Sequence, residues 1–302
     1  MLHQGDGLSI SILLNTCSKV KIISVLLQLT NTGLIPLHVY LEASFLSEDS
    51  SQIHLLYEIC DFDRHNYNHN HKHSFLIPPL SFFPLFSRYI YALCSDIPSI
   101  VRTTDSVLRS FAADGVIYLE LRTTPRAIPS AHVTKAQYIE TILDCTARSN
   151  VTGLMKTSLI LSIDRSNTSA IAKEVVDLAL AYRDQGVVGI DLCGDPARGD
   201  VSIFQPAFKR AKEAGLKITL HFAEAPQSST DSELWTLLGF LPDRIGHVIH
   251  VPDDVKQEIV KRGLGVELCL SCNVHAKMIT GSFGDHHFGW WWGKGCPVAL
   301  SV

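Results

Sequence analysis

A chain of 302 residues, 46% apolar and 19% charged, is long enough for one large α/β domain or two small ones with a substantial core. A net charge of −4, with no Lys/Arg run longer than two residues, argues against a nucleic-acid groove or a basic membrane patch. No stretch reaches about 18 uninterrupted apolar residues and no basic segment leads into an apolar run at the start, where Asp6 already stands, so neither a membrane span nor a secretory signal is predicted.

Residues 1–80 show neither clean helical nor clean strand periodicity, and an irregular or poorly ordered segment is expected there. Within it, 61–73 reads DFDRHNYNHNHKH. Its His69-x-His71 and His71-x-His73 spacings suit a metal on a strand, where alternate residues share a face. The polar neighbours favour a solvated loop instead. From about Pro98 onward an apolar run alternates regularly with a helical pattern. Apolar strands are predicted at 116–121, 157–163, 187–192, 217–221, 244–248, 265–270 and 297–302. Helices are predicted from near Thr134, over 168–185, 202–214, 230–239 and 253–262, with Gly263 and Gly265 as stop signals. Short strands alternating with helices mean β-α units on a parallel sheet. No G-x-G-x-x-G follows any strand, which favours a (β/α)₈ TIM-type barrel over 81–302 against a doubly wound sheet.

In such a barrel, chemistry collects at the carboxyl ends of the strands. The run KITLHFAE (217–224) is an apolar strand that ends in His221, with Glu224 three residues later. A strand end holds an imidazole rigidly enough to ligate zinc, and a carboxylate just beyond it can turn back to move a proton. A core histidine with a surface glutamate is the plainer alternative. His247 occupies the matching end of the next strand, behind Gly246, which permits close backbone approach. Gly194 and Asp195 follow the strand at 187–192, where a glycine lets a flat ligand approach the backbone and where G-D-P is also ordinary turn chemistry. Arg122, Thr123, Thr124, Pro125 and Arg126 close the strand at 116–121 and suit a phosphate or carboxylate, or simply a solvated turn. Asp164 ends its strand and is placed to hydrogen-bond a sugar or a neighbouring loop. The aromatic run Trp290-Trp291-Trp292 is not interleaved with basic residues and is expected to pack beneath a loop. The eight cysteines are scattered, mostly in apolar strands, and read as reduced thiols of a cytoplasmic protein.

Taken together, YLELRTTPR (118–126), SIDR (162–165), GIDLCGDP (189–196), LHFAE (220–224), LPDRIGH (241–247), VELCLSCNV (266–274) and DHHFGWWW (285–292) resemble the adenosine/AMP deaminase family of metal-dependent hydrolases. The adenosine deaminase-like branch, which acts on N6-methyl-AMP and related purine monophosphates, is the part most resembled, over roughly residues 82–302. The resemblance implies a (β/α)₈ barrel holding one zinc ion per subunit and hydrolytic deamination of a 6-aminopurine nucleotide or nucleoside. It implies His221 as a zinc ligand, Glu224 as the donor that protonates purine N1, and His247 as the group orienting the attacking water. Gly194 would contact the base. Thr123, Thr124, Pro125 and Arg126 would line the nucleotide site, Arg126 at the 5′-phosphate, and Asp164 would be a substrate contact or a support.

The family pattern also carries an H-x-H pair on the first strand and an aspartate pair past the eighth, and this sequence has neither. The expectation is therefore an incomplete barrel without its first strand and the end of its last, from a truncated or mispredicted reading frame. The alternative function is a barrel without catalysis, a weak purine-binding or scaffold protein, because catalytic zinc takes at least three protein ligands.

Overall fold

The computed structural model describes residues 91–275 and 277–301. The irregular segment expected over 1–80, with His69, His71 and His73, lies outside the described residues.

Seven strands form one all-parallel sheet in sequential order: β1 Tyr118–Thr123, β2 Lys156–Asp164, β3 Val187–Cys193, β4 Lys217–Phe222, β5 Arg244–His247, β6 Gly265–Cys269 and β7 Val298–Ser301. Sequential parallel order with a helix in each crossover is the barrel arrangement, and the fold is an incomplete (β/α)₈ barrel. It places every strand's carboxyl end on one rim.

The helices begin where the sequence supplies side-chain acceptors for the free N–H groups of a first turn. Asp96 and Ser99 close a capping box on α1, Ile97–Ala113, with Pro98 in the first turn. Thr134 and Gln137 do the same for α2, Lys135–Val151. Thr168 caps α3, Ser169–Ala181. The 202–214 helix resolves into a 3₁₀ turn, Val201–Phe204, and α4, Gln205–Glu213. Likewise α3 stops at Ala181, with a separate 3₁₀ turn at Arg183–Gln185. Thr230 caps α5, Asp231–Gly239, and α6, Asp253–Arg262, ends on Gly263 in the left-handed region, as a C-terminal glycine allows. Two short helices, α7 Leu270–His275 and α8 Phe288–Trp291, precede β7.

The two faces of the sheet differ. Leu121, Leu159, Leu161, Ile163, Ile190, Leu192, Ile218, Leu220, Phe222, Ile245, Val266 and Leu268 join one apolar cluster with the helices. The opposite face is charged, although barrel interiors are dominated by branched apolar residues. There Arg122 meets Asp191 at 3.5 Å, Thr219 at 3.4 Å and the Glu267 carboxylate. Arg244 Nε lies 2.6 Å from Glu267 and the same guanidinium pairs with Glu120. Arg122, Asp191 and Glu267 are each at most 2% exposed. The apolar face wraps the sheet in helices, and the charged face forms a floor beneath the rim.

Of the run expected to pack beneath a loop, Trp291 is buried and meets Trp290 edge-to-face, while Trp292 is half exposed. The six cysteines among the described residues are free thiols.

Candidate active site

His221 stands on β4 in register with Gly246, and Phe222 with His247. Alternation along a strand would therefore send His247 to the Phe222 side, away from His221. The chain escapes that rule by leaving β5 in the left-handed region, with φ of +64° at His247 and +46° at Val248. Past β4, Ala223 does the same at φ +50°, which turns Glu224 back toward the rim. The N–H groups of Ile249 and His250 donate to the Ala223 carbonyl at 3.2 and 3.0 Å and hold this turn. Non-glycine residues rarely adopt such backbone, and it concentrates at functional sites. The result is one buried constellation. The His221 and His247 rings are 5.3 Å apart, and His247 Nε2 lies 3.6 Å from Glu224 Oε1.

Gly246 turns out not to serve close approach. A Cβ there would meet Leu220 O at 3.7 Å, ordinary contact, so the sequence-based reason for this glycine does not hold.

His221 Nδ1 lies 2.8 Å from the Leu192 carbonyl oxygen and 3.2 Å from Asp191. Both are acceptors, so Nδ1 carries the proton and Nε2 keeps its lone pair free toward the rim. Burial lowers the affinity of His221 for a second proton, but Asp191 outweighs it and the net shift is upward. For His247 burial again pulls down, while the Glu224 charge, followed by Cys269, lifts the group to about 9. Asp191 is pushed up by burial and pulled further down by His221 and Arg122, so it sits below the ordinary carboxylate range.

The other predicted site residues line the rim beside β1, β2 and β3. Thr123 Oγ1 is 2.8 Å from the Tyr138 hydroxyl, and Thr124 Oγ1 is 3.6 Å from Cys193 Sγ. Pro125 is buried between them and Arg126. Arg126 donates to the carbonyls of Tyr91, at 3.3 Å, and Cys94, and its guanidinium stacks 4.8 Å over the Tyr91 ring. Asp164 accepts from the Ser166 N–H at 2.8 Å. Gly194, at φ +105°, is where a glycine is needed, because a Cβ would fall 2.9 Å from Asp164 Cγ and Arg165 N. Arg122, by contrast, does not reach the rim: its guanidinium is spent on Asp191 and Glu267 in the floor.

Sequence reasoning missed Tyr91, whose ring lies under the Arg126 guanidinium and whose phenol is pushed up by burial and then by the Asp164 charge. No motif contains it. Asn273 was also missed, with Oδ1 recorded 3.1 Å from His247 Nδ1; its position inside VELCLSCNV was the only signal.

Known proteins resemble this chain. The N6-methyl-AMP deaminase of Danio rerio is 35% identical over 223 residues, 70% of this chain and 63% of that protein. The N6-mAMP deaminase of Arabidopsis thaliana is 37% identical over 221 residues, 66% of this chain and 61% of that protein. The chain thus spans less than two thirds of the length of these relatives. A crystal structure of Arabidopsis ADAL complexed with IMP superposes with a TM-score of 0.76 at 31% identity, covering 95% of this chain and 82% of that one. Residues 75–301 match the family model described as Adenosine deaminase. The barrel, the rim constellation and this match over three quarters of the sequence agree: the chain belongs to the adenosine deaminase family.

Proposed function

We propose that this chain carries out hydrolytic deamination of a 6-aminopurine nucleotide or nucleoside, with a monophosphate of the N6-methyl-AMP or AMP type as the substrate class. The observation that carries this reading is the convergence of His221, Glu224 and His247 on one buried rim, achieved by left-handed backbone at both strand ends. Family membership and relatives named for N6-methyl-AMP deamination support it, as does a related structure holding IMP.

In this reading His247 orients the attacking water below C6 and Glu224 delivers a proton to N1. A C–O bond forms at C6, the exocyclic C–N bond breaks, and the amine departs with the proton released by water. Gly194 leaves room for the base edge, while Thr123, Thr124, Pro125, Arg126 and Asp164 line the side that takes sugar and phosphate.

A zinc ion held by His221 belongs to the proposal. When bound, such an ion supplies hydroxide at neutral pH. His221 has the form of a metal ligand, with Nδ1 tied to Asp191 and Leu192 and Nε2 open. Catalytic zinc takes three protein ligands or more, and among the described residues no three His, Cys, Asp or Glu side chains, His221, Glu224 and His247 included, are arranged to hold a metal ion. The described residues therefore do not fit the ion by themselves, and no step is routed through it.

Among the described residues no helix is long and apolar enough to cross a membrane. The free thiols support a reducing compartment, the cytoplasm.

Purified full-length chain, incubated with N6-methyl-AMP, AMP and adenosine and analysed for bound zinc, tests the proposal. Methylamine and IMP from N6-methyl-AMP are expected. Nucleotide binding without turnover, with zinc supplied, would instead support a non-catalytic purine-binding barrel.

A further inference from the structure

The adjacent histidines of the segment entering α8 have no role in the reading above, yet His287 bonds His247 directly and His286 reaches it through Asn273. His286 and His287 stack at 4.1 Å, and His286 is buried. His287 Nε2 lies 2.6 Å from the His247 carbonyl oxygen. A carbonyl only accepts, so His287 donates from Nε2, and its Nδ1 is left buried without a partner among the described residues. This bond holds the main chain of His247 at its left-handed φ.

His286 acts on the side chain. The backbone N–H of Phe288 lies 3.0 Å from His286 Nδ1 and can only donate. His286 Nδ1 therefore accepts, and the one proton of the neutral ring sits on Nε2. Burial, then the neighbouring His287 and His247, holds His286 down to about 4, consistent with a neutral ring. Nε2 faces the Asn273 amide at 3.0 Å, and the other arm of that amide faces His247 Nδ1 at 3.1 Å. The two arms of a planar amide are interchangeable in shape, and the hydrogen-bond network decides which is oxygen. Amide nitrogen toward His286 would require that ring to accept at both nitrogens, which a neutral imidazole cannot do. The oxygen therefore faces His286, and the NH₂ donates to His247 Nδ1.

We infer that His286 and Asn273 are positioning residues that relay the Phe288 N–H and direct the proton of neutral His247 to Nε2, the nitrogen facing Glu224. His247 then enters the site as a hydrogen-bond donor at Nε2. The relay rests on the hydrogen-bond geometry of the two neutral rings; its catalytic consequence rests on the deaminase reading above.

Full-length chain labelled with ¹⁵N-histidine tests it by long-range nitrogen–proton correlation spectra taken above the His247 value of about 9, where that ring is neutral, with H247Q and H286Q assigning the signals. Both His247 and His286 are expected to carry their proton on Nε2 with Nδ1 bare. A proton on Nδ1 of His247 in the unsubstituted chain overturns the relay, whether or not any variant folds. Asn273→Asp replaces the donating arm by an oxygen, so His247 Nδ1 should gain a proton and, in an active enzyme, kcat should fall with KM little changed. An unaltered His247 signal in folded N273D overturns the relay. A signal that moves as expected in a chain with no turnover upholds the relay and counts against the deaminase reading.

Discussion

Replacing Arg122 by Met probes the charged floor beneath the rim. The guanidinium is 2% exposed and bridges Asp191, at 3.5 Å, to Glu267. Methionine keeps most of the hydrocarbon and removes the charge, so the loss is electrostatic rather than a cavity. Breaking a buried pair from one side costs about 3–5 kcal/mol because the partner stays buried without compensation. Here each carboxylate keeps a partner: Glu267 retains Arg244 at 2.6 Å, and Asp191 retains Ser162 at 3.2 Å. The expected cost is therefore at the lower end, about 3 kcal/mol at pH 7. Its pH dependence has a defined sign. Burial raises the Glu267 carboxyl, but Arg122 and Arg244 outweigh it and hold it below its ordinary value, as Arg122 helps to do for Asp191. Carboxylates depressed in the folded state contribute stability that is present above their unfolded values, about 3.9 for Asp and 4.3 for Glu, and lost as pH falls through the folded values. Without Arg122 the two groups rise instead, and acid relieves the variant by protonating them. The difference between the two proteins in urea melts should be greatest near neutrality and shrink as pH drops toward 4. A cost under about 1 kcal/mol, or one that does not change with pH, would refute the reasoning. Adding Glu267→Gln to R122M should restore part of the loss, since the two sites share one contact.

Glu224→Gln should lower turnover by about 10²–10⁴-fold, the usual worth of a positioned proton donor, while the Kd for purine monophosphate by calorimetry changes little; an unchanged kcat removes Glu224 from the chemistry. Gly194→Ala combines φ +105° with a Cβ 2.9 Å from Asp164 Cγ and Arg165 N, and should cost about 1–3 kcal/mol in thermal melts; an unshifted midpoint would show that the loop yields freely. Thr134→Ala removes the acceptor 3.2 Å from the Gln137 N–H at the start of α2, and about 1 kcal/mol is expected from urea denaturation; no measurable loss would mean that packing alone sets this helix end.

The fold was legible because its signals are local. Apolar runs such as 157–163 and 187–192, separated by helical patterns, Thr134, Thr168 and Thr230 at helix starts and Gly263 at a helix end, each act within a few residues. The predicted helices over 168–185 and 202–214 take in 3₁₀ turn at 183–185 and 202–204, because one tightened turn leaves the apolar spacing unaltered. Tyr91 was invisible because its relation to Asp164 and Arg126 is made by the approach of segments far apart in the chain.

By itself, then, the sequence determined the β-α repeat, the rim on which His221, Glu224 and His247 fall, and the family to which the motifs belong. Only the tertiary structure decided how the last two reach the first. Strand alternation puts His247 and His221 on opposite faces, and left-handed turns at Ala223 and His247 undo that. Only the structure, too, turned Arg122 from a rim residue into the centre of a buried charge network. Such backbone is costly for residues with a Cβ, and buried charges are costly without partners. Both persist only where contacts distant in sequence hold them, and those contacts cannot be read from local pattern.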